Sequence, residues 1–210
     1  MFATKNLFKG ALAGAILACA FTQGAVAAEV AGVTFKETTQ VGGKDLVLNG
    51  FGVRHKFIVK VYATGLYLPT KKTATEEVFK GDGPRRMQLV ILRDISADDF
   101  GSAFMAGINN NTDKNDKMKI VGQISKFGEM FASLPGLKKG DVLNLDYLPG
   151  TGTVCVLNGK QVGETVTDVV FYNAILKIWL GEKPADKALK PRLLNGGKAP
   201  AGAVTGGSNA

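Results

Sequence analysis

Apolar and polar positions alternate with a period of two over residues 57–64. Phe57, Val59, Val61 and Ala63 fall on one side of an extended chain, and Ile58, Lys60, Tyr62 and Thr64 on the other. The alternation predicts one long strand over 53–68, with Gly65 as a bulge and Pro69 as its end. The β-branched run 33–41 predicts an earlier strand, broken by Gly42-Gly43. Residues 46–48 predict a short second strand before the bend Gly50-Phe51-Gly52. Residues 86–93, 142–148 and 153–157 read as further strands. Asn158-Gly159 is a two-residue hairpin signal that pairs 153–157 antiparallel with 160–166.

Elsewhere the apolar spacing changes to three and four. Phe100, Ala103, Phe104, Gly107 and Ile108 share one helical face behind Ser96 and the acidic pair Asp98-Asp99, and Asn109-Asn110-Asn111 close that helix. Ile120, Val121, Ile124, Phe127, Phe131 and Leu134 predict a helix over 116–134, stopped by Pro135-Gly136. Thr73-Ala74-Thr75-Glu76 has the spacing of a capping box and predicts a short helix to Lys80. A last long helix is predicted over 168–180, capped by Asp168 and ended by Gly181, with a further short one after Pro184. Roughly six or seven strands and four or five helices, with short turns between neighbouring strands, predict an α+β fold: an antiparallel sheet with helices packed on one face.

Residues 1–27 stand apart from this pattern. Lys5 and Lys9 precede an uncharged apolar stretch, 11–21, too short to span a bilayer, and Ala25-Val26-Ala27 supplies small residues after it. This is the order of a secretory signal peptide, cleaved after Ala27 or Ala28. The expected location is periplasmic or secreted, with no transmembrane helix after processing. Ala18-Cys19 offers the alternative of a lipoprotein anchored through Cys19. The folded domain is then 28–194. The Gly-, Ala-, Ser- and Asn-rich stretch 195–210 is predicted to be a disordered tail.

Composition narrows the chemistry. With 45% hydrophobic and 21% charged residues, the 210-residue chain has the balance of a globular domain. Two cysteines and one histidine, His55, exclude a disulfide scaffold, a Cys-rich zinc site and a His-cluster metal site. Removal of residues 1–27 leaves 24 basic against 18 acidic residues, a formal +6. That balance favours anionic small molecules or an anionic surface. Export excludes nucleic acid as a partner. No phosphate loop, dinucleotide fingerprint, metalloprotease motif or nucleophile elbow occurs. No metal and no cofactor are expected. Cys155 reads as a buried hydrophobe, Arg93-Asp94 as a local charge pair, and Tyr172 and Trp179 as packing between the last helix and the sheet.

Four stretches in this order resemble one family: Leu48-Asn-Gly-Phe-Gly-Val-Arg54, Phe57-Ile-Val-Lys-Val-Tyr-Ala-Thr-Gly-Leu-Tyr-Leu68, Leu92-Arg-Asp-Ile-Ser96, and Asn173-Ala-Ile-Leu-Lys-Ile-Trp-Leu-Gly181 with Pro184. Over 33–194 the chain is similar to the bacterial exported branch of the chalcone isomerase-like family. The resemblance implies an antiparallel sheet with helices on one side, an open-faced β-sandwich. Plant enzymes of that family close a chalcone to a flavanone, with an arginine stabilising the developing oxyanion. Other members bind fatty acids, holding the carboxylate with an arginine and a tyrosine. Neither activity needs a cofactor.

The resemblance places Arg54 where family members carry the functional arginine. Tyr62 falls where isomerases have a threonine, and a tyrosine there is similar to the fatty-acid binders. Phe100 falls where isomerases have a catalytic tyrosine, and Asn109 near the asparagine two turns further on. Lys60 and Thr64, on the same strand face as Tyr62, are additional candidate polar partners. On one straight strand Arg54 and Tyr62 lie about 26 Å apart at ~3.3 Å per residue. Either the strand bends near His55-Lys56, or one of the two is not a ligand residue. The resulting expectation is a non-catalytic periplasmic protein that binds a hydrophobic anion such as a fatty acid between sheet and helices. One alternative is an intramolecular lyase or isomerase acting on an enone through Arg54; otherwise no catalytic residue is assigned. A second is an envelope protein-interaction module with unknown protein partners.

Overall fold

Each period-two segment in the middle of the chain pairs with the next one in sequence. In the computed structural model, which describes residues 27–198, this gives a seven-stranded antiparallel meander. Its strands are β3 (Thr38–Val41), β4 (Lys44–Lys56), β5 (Val59–Leu68), β6 (Arg85–Ile91), β7 (Val142–Leu148), β8 (Gly152–Leu157) and β9 (Lys160–Val166), in that spatial order. A separate hairpin, β1 (Ala28–Val30) with β2 (Val33–Phe35), precedes them. The helices are α1 (Thr75–Phe79), α2 (Ala97–Asn111), α3 (Lys114–Lys119), α4 (Val121–Ala132), α5 (Val169–Leu180) and α6 (Leu189–Leu194). The fold is α+β, as the element pattern predicts. The predicted signal segment, Cys19 and residues 199–210 of the predicted tail lie outside the described residues.

The main core lies between the sheet and the helices. Helix α5 is apolar on nearly every side, and Phe171, Tyr172, Ala174, Ile175, Leu176, Ile178, Trp179 and Leu180 are all buried. Such a helix needs cover all round. It lies against the sheet and is covered by α2 and α4, whose Phe100, Phe104, Phe127 and Phe131 stack with one another at centroid distances of 4.8–5.6 Å. The opposite face of the sheet is covered at one end, where Phe35 joins Val41, Leu46, Leu48, Ala63 and Tyr67.

Arg85 and Arg86, consecutive in β6, point to opposite faces. Arg86 makes a bidentate pair with Asp146 through Nε and Nη2 at 2.6 Å each, and donates to Thr39 Oγ1 at 2.9 Å. Arg85, 1% exposed, sits against the rings of both Tyr147 and Tyr172 and donates to Val78 O and Asn173 Oδ1.

Several expected boundaries move. The run 33–41 is two strands, β2 and β3, and 46–48 is the interior of β4. The predicted strand over 53–68 is a hairpin. Its chain reverses at Phe57 and Ile58, with Phe57 in the left-handed region at φ 57°. Nothing in the sequence marks this turn, because both residues are strand formers. The capping box is not made: Ala74 holds the N-cap position of α1 without a side-chain hydrogen bond. Over 116–134, Ile120 leaves helical geometry at φ −114° and ψ 14° and divides α3 from α4. Ser96 and Asp168 do cap α2 and α5, each accepting a backbone N–H. Asn158 and Gly159 turn β8 into β9 with φ of 50° and 81°, as the sequence predicts.

A bulge at Asn49, the extra residue between the pairs Leu48–Tyr67 and Gly50–Leu66, ties distant parts of the chain together. Its side chain donates to Lys72 O at 3.0 Å and Leu193 O at 2.8 Å, and accepts from Lys72 N. At Gly50 a Cβ would lie 2.3 Å from the carbonyl oxygens of Arg192 and Leu193, so only glycine lets α6 rest on the sheet here. Asn49→Ala leaves these buried groups unpaired and is expected to cost about 2–4 kcal/mol in a urea unfolding curve.

Burial pushes the phenols of Tyr62 and Tyr67 and the Cys155 thiol up to about 12, and the Tyr172 phenol higher still. In the unfolded chain these protons leave at lower pH, so the unfolded state is favoured as pH rises. Stability is therefore expected to be constant up to about pH 9 and to fall above it, by about 1.4 kcal/mol per pH unit for a fully buried group such as Tyr62. A urea midpoint that stays flat through the alkaline range contradicts this.

Candidate functional site

The β4–β5 hairpin removes the 26 Å separation that a straight strand imposes. Arg54 and Tyr62 are direct cross-strand partners. The extra residue in this register is Val61, between the pairs Arg54–Tyr62 and His55–Lys60, and this bulge turns both Val61 and Tyr62 toward the helices. The Arg54 guanidinium carbon sits 5.5 Å from the centroid of the Tyr62 ring, within cation–π range. Its Nε is buried and has no hydrogen-bond partner. Among the described residues, no ion pair includes Arg54.

Tyr62 is 4% exposed, and its hydroxyl oxygen accepts a 2.8 Å hydrogen bond from Trp179 Nε1. That bond uses a lone pair and leaves the phenolic proton to be donated. Burial raises the Tyr62 pKa to about 12, against smaller lowering effects of Arg54 and of the Trp179 bond. The group stays a donor throughout the neutral range.

These residues border a cleft of about 320 Å³. The hairpin supplies Arg54, Lys56, Phe57, Val59, Val61 and Tyr62. Helix α2 supplies Asp99, Phe100, Ala103 and Phe104, and α5 supplies Ile178 and Trp179. Arg93, Asp94 and Ile95, between β6 and α2, complete the wall with Ala185. Val61, Tyr62, Phe100, Phe104, Ile178 and Trp179 are buried, whereas Lys56, Phe57 and Arg93 are exposed and form the mouth. The carboxylates at the mouth are already engaged. Asp94 accepts from Lys139 N at 2.9 Å and Lys138 Nζ at 3.1 Å, which holds its carboxyl below the usual range, and Asp99 accepts from Ser96 Oγ. The expected local pair between Arg93 and Asp94 is therefore replaced by the pair of Asp94 with Lys138.

Of the six residues expected at the site, Arg54, Tyr62 and Phe100 come together. Lys60 is exposed on β5 and outside the cleft wall. Thr64 is fully buried, with its hydroxyl committed to Gln88 O at 2.8 Å. Asn109 is exposed toward the far end of α2, where its carbonyl accepts from Lys117 Nζ. The sequence pattern marks Trp179 only as packing and Phe104 only as part of a helical face, yet both line the cleft. The available signal was the indole N–H, a donor that needs a partner when buried. Among the described residues, no group of three His, Cys, Asp or Glu is placed to hold a metal ion. None of the described helices is long and apolar enough to cross a membrane.

No curated protein matches the chain in sequence. Among solved structures, a fatty-acid binding protein of Arabidopsis thaliana shares the fold, with a TM-score of 0.61 and 18% identity over 78% of this chain and 92% of that one. The model of the chalcone isomerase-like family matches residues 27–195, which takes in nearly every described residue. The chain thus belongs to the chalcone isomerase-like family.

Proposed function

We propose that this protein is a non-catalytic binder of a hydrophobic anion such as a fatty acid. The observation that carries the reading is a guanidinium without a counter-ion, Arg54, beside a proton-donating tyrosine, Tyr62, in an otherwise largely apolar cleft. A partly buried cation with no partner is costly, and an incoming carboxylate offsets that cost. Arg54 supplies the charge, and the Tyr62 hydroxyl supplies a directed hydrogen bond. Phe100, Phe104, Ile178 and Trp179 supply the apolar wall for the chain. A volume of about 320 Å³ lies at the lower end of small-molecule sites. It suits a head group and part of a chain, with the remainder leaving through the mouth. The fold shared with a fatty-acid binding protein supports the reading. Phe100 has no hydroxyl to offer, which weighs against enone isomerisation. The signal-peptide pattern of residues 1–27 supports an exported, periplasmic protein.

Titration with a long-chain fatty acid, followed by calorimetry, tests the reading. The protein is expected to bind, and Arg54→Ala to weaken binding by about 10- to 100-fold, the worth of a hydrogen bond to a charged group. Tyr62→Phe is expected to weaken it about tenfold, through loss of one such bond. Native mass spectrometry of the purified protein is expected to show co-purifying lipid. No binding of any fatty acid, together with decay of chalcone absorbance that Arg54→Ala abolishes, would replace this reading with the isomerase.

A further inference from the structure

The two most exposed large apolar side chains among the described residues are consecutive. Phe57 is 92% exposed and Ile58 93%, and together they form the turn of the β4–β5 hairpin. Stability does not account for them. Neither belongs to a core cluster, and Phe57 holds a left-handed backbone, φ 57°, that glycine adopts at less cost. Basic residues surround the pair. Lys56 and Lys60 flank the tip and are exposed, and exposed Arg93 lies across the cleft mouth. Asp186 is held beside the hairpin by His55 N and Asp94 is paired with Lys138, and among the described residues neither forms an ion pair with Lys56, Lys60 or Arg93. The tip is therefore a small convex apolar point, and the cations near it make no ion pair among the described residues.

We infer that this tip docks on an anionic phospholipid membrane, with Phe57 and Ile58 in the interfacial layer and Lys56, Lys60 and Arg93 at the head groups. A two-residue point is far below the roughly 800 Å² per partner that a stable protein interface buries. It does match the shallow apolar insertion with basic flanks by which proteins lie on membranes, where the negative surface attracts each cation. Phe57 is also part of the cleft wall, so docking turns the cleft mouth to the lipid. The inference stands on the tip and its charges and does not require that the guest be a fatty acid.

Flotation with vesicles tests it, comparing pure phosphatidylcholine with an equal mixture of phosphatidylcholine and phosphatidylglycerol at low salt. The wild-type protein is expected to float with the anionic vesicles. Ile58→Ser and Lys60→Glu are each expected to reduce the bound fraction by about tenfold at limiting lipid. All variants share one N-terminus, so any anchor there contributes equally. Ile58 touches neither core nor cleft wall, so Ile58→Ser is expected to keep the melting temperature and any fatty-acid affinity of the parent. That separates failure of docking from failure of the ligand reading. Four results overturn the inference: no flotation, equal flotation on neutral and anionic vesicles, equal flotation of parent and Ile58→Ser, or a dimer that Ile58→Ser dissolves. The last would mean that a second copy covers the tip.

Discussion

The placement of a cation over an aromatic ring governs the rest of the cleft. Arg54 and Tyr62 face each other because β4 reverses into β5 at Phe57 and Ile58, and because the Val61 bulge turns Tyr62 to the helix side. A shift of one residue in this register would send Tyr62 to the opposite face and leave Trp179 Nε1 without an acceptor in the core. The hydrogen bond between Trp179 and Tyr62 fixes α5 against the sheet at the depth where the cleft ends. Position, proton and charge at the site thus follow from one hairpin and one bulge.

Three arginines near the sheet illustrate how context decides what a buried guanidinium does. Arg86 has a carboxylate on the neighbouring strand and is saturated by it. Arg85 has none. It sits against two tyrosine rings, with Nη1 on a carbonyl and an amide and with Nε and Nη2 unpartnered, and it is almost wholly buried beside a smaller cleft of about 190 Å³. Arg54 likewise lies on a tyrosine ring with an unpartnered Nε, but it is only partly buried and borders the larger cleft of about 320 Å³. Residue type is the same in all three. A carboxylate partner and the depth of burial are what separate them: Arg86 is paired, Arg85 is enclosed, and Arg54 is unpaired and only partly buried.

Sequence reasoning reached the architecture because most turns and caps announce themselves. Asn158-Gly159 has the turn chemistry of its hairpin, and Ser96 and Asp168 cap as their type suggests. It failed where side chains of one class hold a position usually given to another. Phe57 and Ile58 read as strand because their composition is that of a strand, and the turn is imposed by the pairing on either side. Ile120 reads as mid-helix, yet it is the hinge between α3 and α4. The resemblance named Arg54, Tyr62 and Phe100, which share one cleft in the fold. It did not remove Thr64, because alternation gives a strand face without saying which end of that face opens to a cleft. Asn109 was lost to helical phase, which turns it outward.

Helix α5 carries Trp179, the only tryptophan in the chain, and its indole nitrogen is bonded to the phenol that borders the cleft. Under red-edge excitation, which indole absorbs and phenol does not, the ultraviolet emission therefore originates from a single chromophore at the floor of that space. Solvation, quenching or a new neighbour at this one point changes that indole emission. The protein thus contains its own optical gauge of occupancy, with no dye or label to install.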